Sequence, residues 1–534
     1  MLRPKPNRNQ FFRTREFKIF LTVWIVYIFY LQMFGSSSMA NTQSALTAAI
    51  VNEGRFEIDT YHLAGSSGNA LYKGHYYSGQ SPGISFISVP FYLIAKPFFY
   101  ILPETFIESI FSKLENFGKN LEKDFFGNEK ILSNYFPTLN KNAILEYIII
   151  SGFILPIFTT ALISALSSAL LYHILKNFTN NERLRLLITF TYAFGTLIFP
   201  LSTEYFERPI AITLFFAAFI ILFKIRHNQL KLKRSTVFTS GILAGIAVWF
   251  DYFHIFAAAL LFIYLLSLFI KSKKIFPDKQ RIYLLFNFIL GVSIPVLLLF
   301  FYYYSIFDNP FATSYSFREI SYTTITISNV INNISLGGEV PIFQIIQFFL
   351  FSPIVILALF SVFKAISVRD SYSNDSLAIA IFFIFTFTYA ALLLLAYSDS
   401  PESFIPQSFK RYMTPALPFM FLFIPYLFRK NKIDKKIIKI TFIVFMTLSI
   451  FMNWLSAQFG GHWALEHFNL ESMKFTYIEH FLQTGPSSSF LNALSNAFVL
   501  NPLVINLAGL AILSLIIYII WRPNRKTLIS SETS

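Results

Sequence analysis

Continuous apolar stretches, most of them 15 to 25 residues long, recur along this chain at 19–34, 187–205, 209–223, 236–251, 253–270, 282–305, 342–364, 376–397, 413–428, 440–456 and 503–521. A helix of about 20 residues crosses a ~30 Å hydrocarbon core, and it satisfies its own backbone hydrogen bonds where no water can. A membrane β-barrel would instead show alternating segments of about ten residues. The pattern therefore predicts an all-α integral membrane protein with about 12 to 13 transmembrane helices. Composition agrees: 55% of the 534 residues are hydrophobic and 13% charged, against roughly 45 to 50% and 25% in soluble domains. With no cysteine, disulfides, thiolate metal sites and thiol nucleophiles are excluded.

The net charge of +15 would suggest nucleic acid in a soluble protein, but here the basic residues stand at the ends of apolar runs and read as topology, so no nucleic-acid partner is expected. Arg3, Lys5, Arg8, Arg13, Arg15 and Lys18 precede the first run, and further clusters stand at Lys176/Arg183/Arg185, Lys224 through Arg234, Lys271 through Arg281, Arg429 through Lys439 and Arg522/Arg525/Lys526. These mark cytoplasmic loops and place both termini in the cytoplasm of a multi-pass plasma-membrane protein. Ser38-Met39-Ala40 loosely fits a signal-peptide cleavage site, although the preceding run slightly exceeds a typical h-region.

Between the first outer loop and Lys176 lie two runs, 83–102 and 143–175, and only an odd number of crossings fits. The second is about 33 residues, too short for two spans, so 83–102 is expected to be re-entrant or interfacial. The chain reads as one polytopic domain over 1–534, with a first extracytoplasmic loop at 35–82 carrying interfacial helices and a last one at 457–502. The loops 306–341 and 398–412 share that face, where function is expected.

The first outer loop holds Glu53, Glu57 and Asp59, acids that could serve as base or metal ligand, or simply face water on an amphipathic helix. A divalent cation, if one takes part, would sit there. Tyr77 and Gln80 belong to the turn-rich stretch Gly74–Gly83, which enters an apolar run through Ser81-Pro82-Gly83, a break of the kind that lines a cavity at membrane depth. Further charges flank helices at Glu204/Glu207/Arg208, at Asp251 with His254, and at Lys410-Arg411-Tyr412. Arg208, Lys410 and Arg411 could hold a lipid phosphate, because guanidinium forks match phosphate oxygens and an ammonium adds a point charge; snorkelling is the bland reading. His462 and His467 stand near Glu466, but an i, i+5 spacing does not bring both to one helix face as a zinc motif requires, so no metal site is assigned.

In their order, Tyr76-Tyr77-Ser78-Gly79-Gln80-Ser81-Pro82-Gly83 with Pro90-Phe91-Tyr92, Phe194-Gly195-Thr196 with Phe199-Pro200, Gly245-Ile246-Ala247 leading to Asp251-Tyr252, Phe307-Asp308-Asn309-Pro310-Phe311 with Tyr315, Phe351-Ser352-Pro353, and Arg411-Tyr412 with Pro415 and Leu417-Pro418 carry a likeness over most of the chain. It resembles the GT-C superfamily of polyprenyl-phosphate-sugar-dependent glycosyltransferases, among the prokaryotic relatives of protein O-mannosyltransferases and aminoarabinose transferases. That resemblance implies a polyprenyl-phosphate-sugar donor, a lipid, glycan or protein acceptor, a base in the first outer loop and a cation on the lipid phosphate. Where many relatives read Asp-Leu-Thr and Asp-Lys-Ala-Pro-Gly, this chain has Ala45-Leu46-Thr47 and Gly79-Gln80-Ser81-Pro82-Gly83. The base is therefore expected among Asp59, Glu53 and Glu57, with Asp59 and Glu53 foremost, the expected substrate-binding residues are Tyr77, Gln80, Arg208, Asp251, Lys410, Arg411 and Tyr412, and the expected reaction is an inverting displacement. A glycan polymerase or ligase would share the donor and differ in acceptor. The alternative is a member without catalysis that binds or moves a lipid-linked glycan; against a flippase or transporter stand the lack of an internal repeat and the gathering of ionisable residues near one face.

Overall fold

The computed structural model describes residues 14–32, 38–65, 68–113, 135–271, 278–318, 348–368, 374–381, 413–429, 435–458 and 500–522, with a few isolated positions besides. Helix α1 (Arg15–Phe29) starts at Thr14, whose hydroxyl accepts from the Phe17 amide and satisfies one of the orphan donors of the first turn. There follow α2 (Ser38–Glu53), a hairpin of β1 (Asn69–Tyr72) and β2 (His75–Ser78), and α3 (Gly83–Ala95), which runs on into a short helix Pro97–Ile101. Then come α4 (Lys141–Leu175), α5 (Glu182–Phe194), α6 (Arg208–Arg226), α7 (Arg234–Phe250), α8 (His254–Lys271) and α9 (Asp278–Phe307). Helices α10 (Ile354–Val368), α11 (Lys435–Gln458) and α12 (Pro502–Trp521) follow.

Among the described residues six helices are long and apolar enough to cross a membrane: Gly83–Ile101, Lys141–Leu175, Arg208–Arg226, Gln280–Phe307, Lys436–Gln458 and Pro502–Trp521. Shorter apolar helices occupy Arg234–Phe250, His254–Leu268, Ile354–Val368 and Thr414–Phe428. The architecture is that of an all-α membrane protein, and among the described residues its strands form two small two-stranded antiparallel sheets. Two runs that read as single spans are broken. The run 187–205 is interrupted at Gly195 before a short helix Ile198–Ser202. Pro415, Pro418 and Pro425, each lacking an amide donor, divide 413–428 into 3-10, α and 3-10 pieces.

Two hydrophobic cores share the chain. One packs α1, α5, α6 and the latter part of α4 around Tyr27, Leu171, Phe216 and Phe419. The other packs α2, α3, the hairpin and the opposite ends of α4 and α9 around Leu46, Ile84, Leu145 and Tyr302. Helix α4 reaches both because its 35 residues extend ~50 Å at about 1.5 Å per residue, well beyond a ~30 Å hydrocarbon core. Its π-helical turns at Ile150–Ile154 and Ile157–Ala161 flank Pro156, where the ordinary backbone ladder cannot close. Glu146 stands inside this apolar run, buried, and accepts a hydrogen bond from the Tyr92 hydroxyl at 3.1 Å.

Charged contacts fix which helix ends lie together. Glu16 of α1 meets His173 Nδ1 at 3.2 Å and the Lys176 ammonium, while Lys224 of α6 donates to His173 Nε2 at 2.6 Å. Arg15 and Lys18 lie 5.6 and 5.9 Å over the Trp521 ring of α12. The start of α1 and the ends of α4, α6 and α12 thus share one basic end of the bundle, and the hairpin belongs to the other. Segment 83–101, expected to be re-entrant or interfacial, is one of the six helices long and apolar enough to cross a membrane; Gly83 abuts Trp249 and Phe250 and Phe91 stacks on Phe158, so it lies alongside α4 in the second core.

Helices α7 and α9 meet backbone to backbone. A Cβ on Gly245 would fall 2.6 Å from the Val292 carbonyl oxygen, and one on Gly291 2.5 Å from that of Phe238. Gly241 and Gly245 form the small-residue spacing that lets membrane helices approach this closely, where packing rather than water exclusion holds them.

Candidate functional site

The hairpin turns at Lys73-Gly74, both with positive φ, 49° and 86°, as a two-residue loop that matches strand twist requires. Asp59 braces it. Its Oδ1 accepts from the Tyr76 amide at 2.7 Å and its Oδ2 from His75 Nδ1 at 2.8 Å. Burial pushes the Asp59 carboxyl up, but those two hydrogen bonds outweigh it and hold the group below its ordinary value. Glu53 is paired with Arg55 Nε at 2.6 Å toward the surface. Glu57 accepts from the Tyr77 hydroxyl at 3.3 Å, and burial together with that neighbouring carboxylate pushes the phenol up to about 12.

Beyond the hairpin, the turn at 79–83 is inserted between α2 and the end of α7. Gln43 Nε2 donates to the Ser81 carbonyl at 3.1 Å, Ser81 Oγ donates to the Phe250 carbonyl at 2.7 Å, and Ser85 Oγ donates to the Gln43 carbonyl at 2.8 Å. Gly83 is needed here, since a Cβ would lie 2.6 Å from the Trp249 carbonyl. The break Ser81-Pro82-Gly83 thus does more than start a helix: it locks three elements together.

Against this turn stand the loop before α6 and the loop between α7 and α8. Glu204, Glu207, Asp251 and His254 are all buried. Arg208 Nε lies 4.0 Å from Asp251 Oδ2, His254 Nδ1 lies 3.7 Å from the same oxygen, and Asp251 Oδ1 accepts from the Phe253 amide at 3.2 Å. Burial raises the Glu207 carboxyl, opposed by the Arg208 charge and by a hydrogen bond from the Gln43 side chain. Glu207 Oε2, Asp251 Oδ2, Gln43 Oε1 and Gln80 Nε2 are buried and have no hydrogen-bond partner among the described residues. Buried polar atoms are ordinarily satisfied, and these four belong to helix α2, the turn at 79–83 and the loops flanking α6 and α7, which the Gln43–Ser81 and Ser81–Phe250 hydrogen bonds bring together.

Of the residues expected from sequence, Gln80, Arg208 and Asp251 come together here, with Tyr77 on the adjoining strand. Asp59 and Glu53 lie on the hairpin and at the end of α2, each already engaged. Lys410, Arg411 and Tyr412 fall outside the described residues, as do His462, Glu466, His467 and His480. Among the described residues no group of three or more histidines, aspartates and glutamates is placed to hold a metal ion, and the first-loop acids have separate partners. No local pattern in the sequence distinguishes Gln43, whereas Glu146 is announced by its place as an acid four residues inside an apolar run.

No protein-family model matches the chain, and no curated protein matches it. Among solved structures it is similar to the Archaeoglobus fulgidus oligosaccharyltransferase in its apo form, at 11% identity and a TM-score of 0.39 over 89% of this chain and 60% of that one. The archaeal oligosaccharyltransferase AglB from Archaeoglobus fulgidus, in complex with an inhibitory peptide and a dolichol-phosphate, gives 11% identity and a TM-score of 0.38 over the same shares. The chain spans about 60% of the length of these structures.

Proposed function

We propose that this chain is a membrane glycosyltransferase of the GT-C type that moves a sugar from a polyprenyl-phosphate-linked donor to a lipid, glycan or protein hydroxyl at the hairpin end of the bundle. The observation that carries the reading is the buried group of Glu207, Arg208, Asp251 and His254 beside Gln80, with open carboxylate oxygens and a cation at one end of the apolar helices. Arg208 suits a phosphate, since its planar fork places two donors on two oxygens. Asp251, 4.0 Å away, orients that fork without closing on it. Lys410, Arg411 and Tyr412 would add contacts to the same phosphate.

Glu207 is the base this geometry favours over Asp59 and Glu53. Both oxygens of Asp59 already accept hydrogen bonds and its basicity is lowered, whereas burial makes Glu207 more basic and leaves Oε2 open. In the step, the acceptor hydroxyl gives its proton to Glu207 while its oxygen bonds to the anomeric carbon. The bond from that carbon to the phosphate oxygen breaks, and the lipid phosphate leaves with the electron pair beside Arg208. A single displacement inverts the anomeric centre. General-base help of this kind contributes ~10² to 10⁴-fold, and a cation placed where charge develops adds to it.

The basic end carries Arg15, Lys176 and Lys224, and the positive-inside rule then supports cytoplasmic termini, an extracytoplasmic hairpin and, with the apolar runs beyond the described residues, about 12 to 13 spans in a plasma membrane. The test is transfer of radiolabelled sugar from a panel of polyprenyl-phosphate sugars in proteoliposomes. Turnover by wild type that is lost in Glu207→Gln, with lipid-phosphate binding retained, is the expected result. Absence of turnover with every donor alongside intact lipid binding would replace the transferase with a lipid-glycan binder or flippase, and undiminished turnover in Glu207→Gln would return the base to Asp59 or Glu53.

A further inference from the structure

After α9 the chain turns at Asp308, whose φ is 54°, and runs back over the hairpin as a strap ending in a 3-10 turn, Ser314–Phe317. Four contacts hold it down. Lys73 Nζ meets Asp308 Oδ2 at 2.7 Å, the Tyr72 hydroxyl donates to the Phe307 carbonyl at 3.2 Å, Ala70 and Arg318 pair as an antiparallel bridge, and Arg318 Nε donates to the Gly79 carbonyl at 2.9 Å. The Arg318 guanidinium lies 4.2 Å from the centre of the Tyr315 ring, so the arginine clasps the tyrosine against the site turn.

Tyr315 is 42% exposed, although its hydroxyl reaches Gln80 Oε1 at 3.4 Å. Gln80 itself is 2% exposed, and its Nε2 has no acceptor among the described residues. Tyr252 meets Tyr315 edge-on at 5.8 Å and shares a hydroxyl contact with Tyr303. The result is an open aromatic wall, held by an arginine, beside a buried amide donor that lacks an acceptor. A pyranose or furanose ring is made for such a surface: its C–H patches favour the negative face of an aromatic ring, and its hydroxyls accept from an amide. Water or a small anion would use the amide and leave the wall idle.

We infer that Gln80, Tyr252 and Tyr315 form the glycosyl subsite of the donor, with Arg318 as the positioning residue that holds Tyr315 in place; this rests on the donor reading above. Because Tyr252 follows Asp251 and Gln80 precedes Ser81, the subsite adjoins the Arg208 phosphate position on two sides. The sugar lies toward the strap and the phosphate toward α6.

Binding, rather than turnover, isolates the claim. Purified full-length protein in nanodiscs is titrated, by native mass spectrometry, with polyprenyl phosphate and with polyprenyl phosphates carrying glucose, galactose, mannose or arabinose. Wild type is expected to bind at least one glycosylated lipid more tightly than the bare phosphate. Tyr315→Ala and Gln80→Leu should remove that advantage, roughly tenfold or more, and leave bare-phosphate affinity unchanged. Tyr315→Phe, which keeps the ring, should retain most of it. Arg318→Ala should lower it, and Arg318→Lys, which restores a cation over the ring, should recover part of the loss, which a merely structural residue would not do so selectively. A wild type that gains nothing from any sugar, or a Tyr315→Ala protein that loses both lipids equally, overturns the subsite while leaving phosphate binding in place. A wild type that binds neither lipid overturns the donor reading and the subsite with it.

Discussion

Two largely buried arginine–aspartate pairs stand at opposite ends of this bundle, and their burial is nearly the same. At the basic end Arg226 and Asp375 are 10 and 11% exposed; at the hairpin end Arg208 and Asp251 are 11 and 8% exposed. Their geometry differs. Arg226 Nε lies 2.6 Å from Asp375 Oδ2, Arg226 Nη1 donates to Ser267 Oγ at 2.9 Å, and His227 Nε2 approaches the same carboxylate at 3.3 Å. The hairpin pair stays 4.0 Å apart, and Asp251 Oδ2 has no hydrogen bond within the described residues. Charges removed from water are tolerable when each is matched closely, and costly when they are not. The closed pair serves the fold; on the function proposed above, the looser one receives the lipid phosphate.

That contrast can be broken from either side. The largest effect is expected from Glu207→Gln, which should cut transfer ~10² to 10⁴-fold while the thermal midpoint in detergent stays at or above that of wild type. At the other end, Asp375→Ala strands Arg226 and His227 without their carboxylate and should destabilise by ~3 to 5 kcal/mol, read as a lower thermal midpoint, with transfer per folded molecule preserved. Asp251→Asn tests whether the open pair is a strain kept for function. It should destabilise less than Asp375→Ala, because the pair is held 4.0 Å apart and asparagine keeps the Oδ1 acceptor for the Phe253 amide, yet it should weaken lipid-phosphate binding. Equal stability losses in Asp375→Ala and Asp251→Asn would erase the distinction between the two ends.

The smallest effect concerns pH. The Asp59 carboxyl is held below its ordinary value in the folded hairpin. Its contribution is therefore fully present above the unfolded aspartate range near ~3.9 and is lost as pH falls through the lower folded value. Protection of the Tyr76 amide from hydrogen exchange, relative to the intrinsic rate, should drop below about pH 4, and Asp59→Asn should show the reduced protection already at neutral pH.

The all-α membrane character was legible because lipid imposes one rule on every crossing residue, and runs such as 209–223 obey it without reference to anything else. The breaks at Gly195 and at Pro415, Pro418 and Pro425 were less so, since buried irregular backbone is tolerated only where neighbours satisfy it, and neighbours are invisible in a run of apolar letters. Arg208 and Asp251 could be picked out as charges at helix ends, and Ser81-Pro82-Gly83 as a break. What joins them could not. Gln43 reaches Ser81 and Glu207 across long sequence separations, whereas Asp59, the more conspicuous acid, spends both oxygens on residues of the neighbouring hairpin.

The glycine contact between α7 and α9 has a consequence for how the site is set out in space. Asp251 and Tyr252 follow the last turn of α7, and Tyr303 belongs to the last turns of α9. With Gly245 and Gly291 seated against opposing carbonyls, the two helices act as the jaws of a fixed caliper whose gap is set by bare backbone. A single methyl at either glycine would wedge the two backbones apart and widen the gap between Tyr252 and Tyr303. On the donor reading proposed above, substitutions at Gly245 and Gly291 should therefore alter which sugars fit, and a screen for changed donor preference would find them there as readily as around Tyr315.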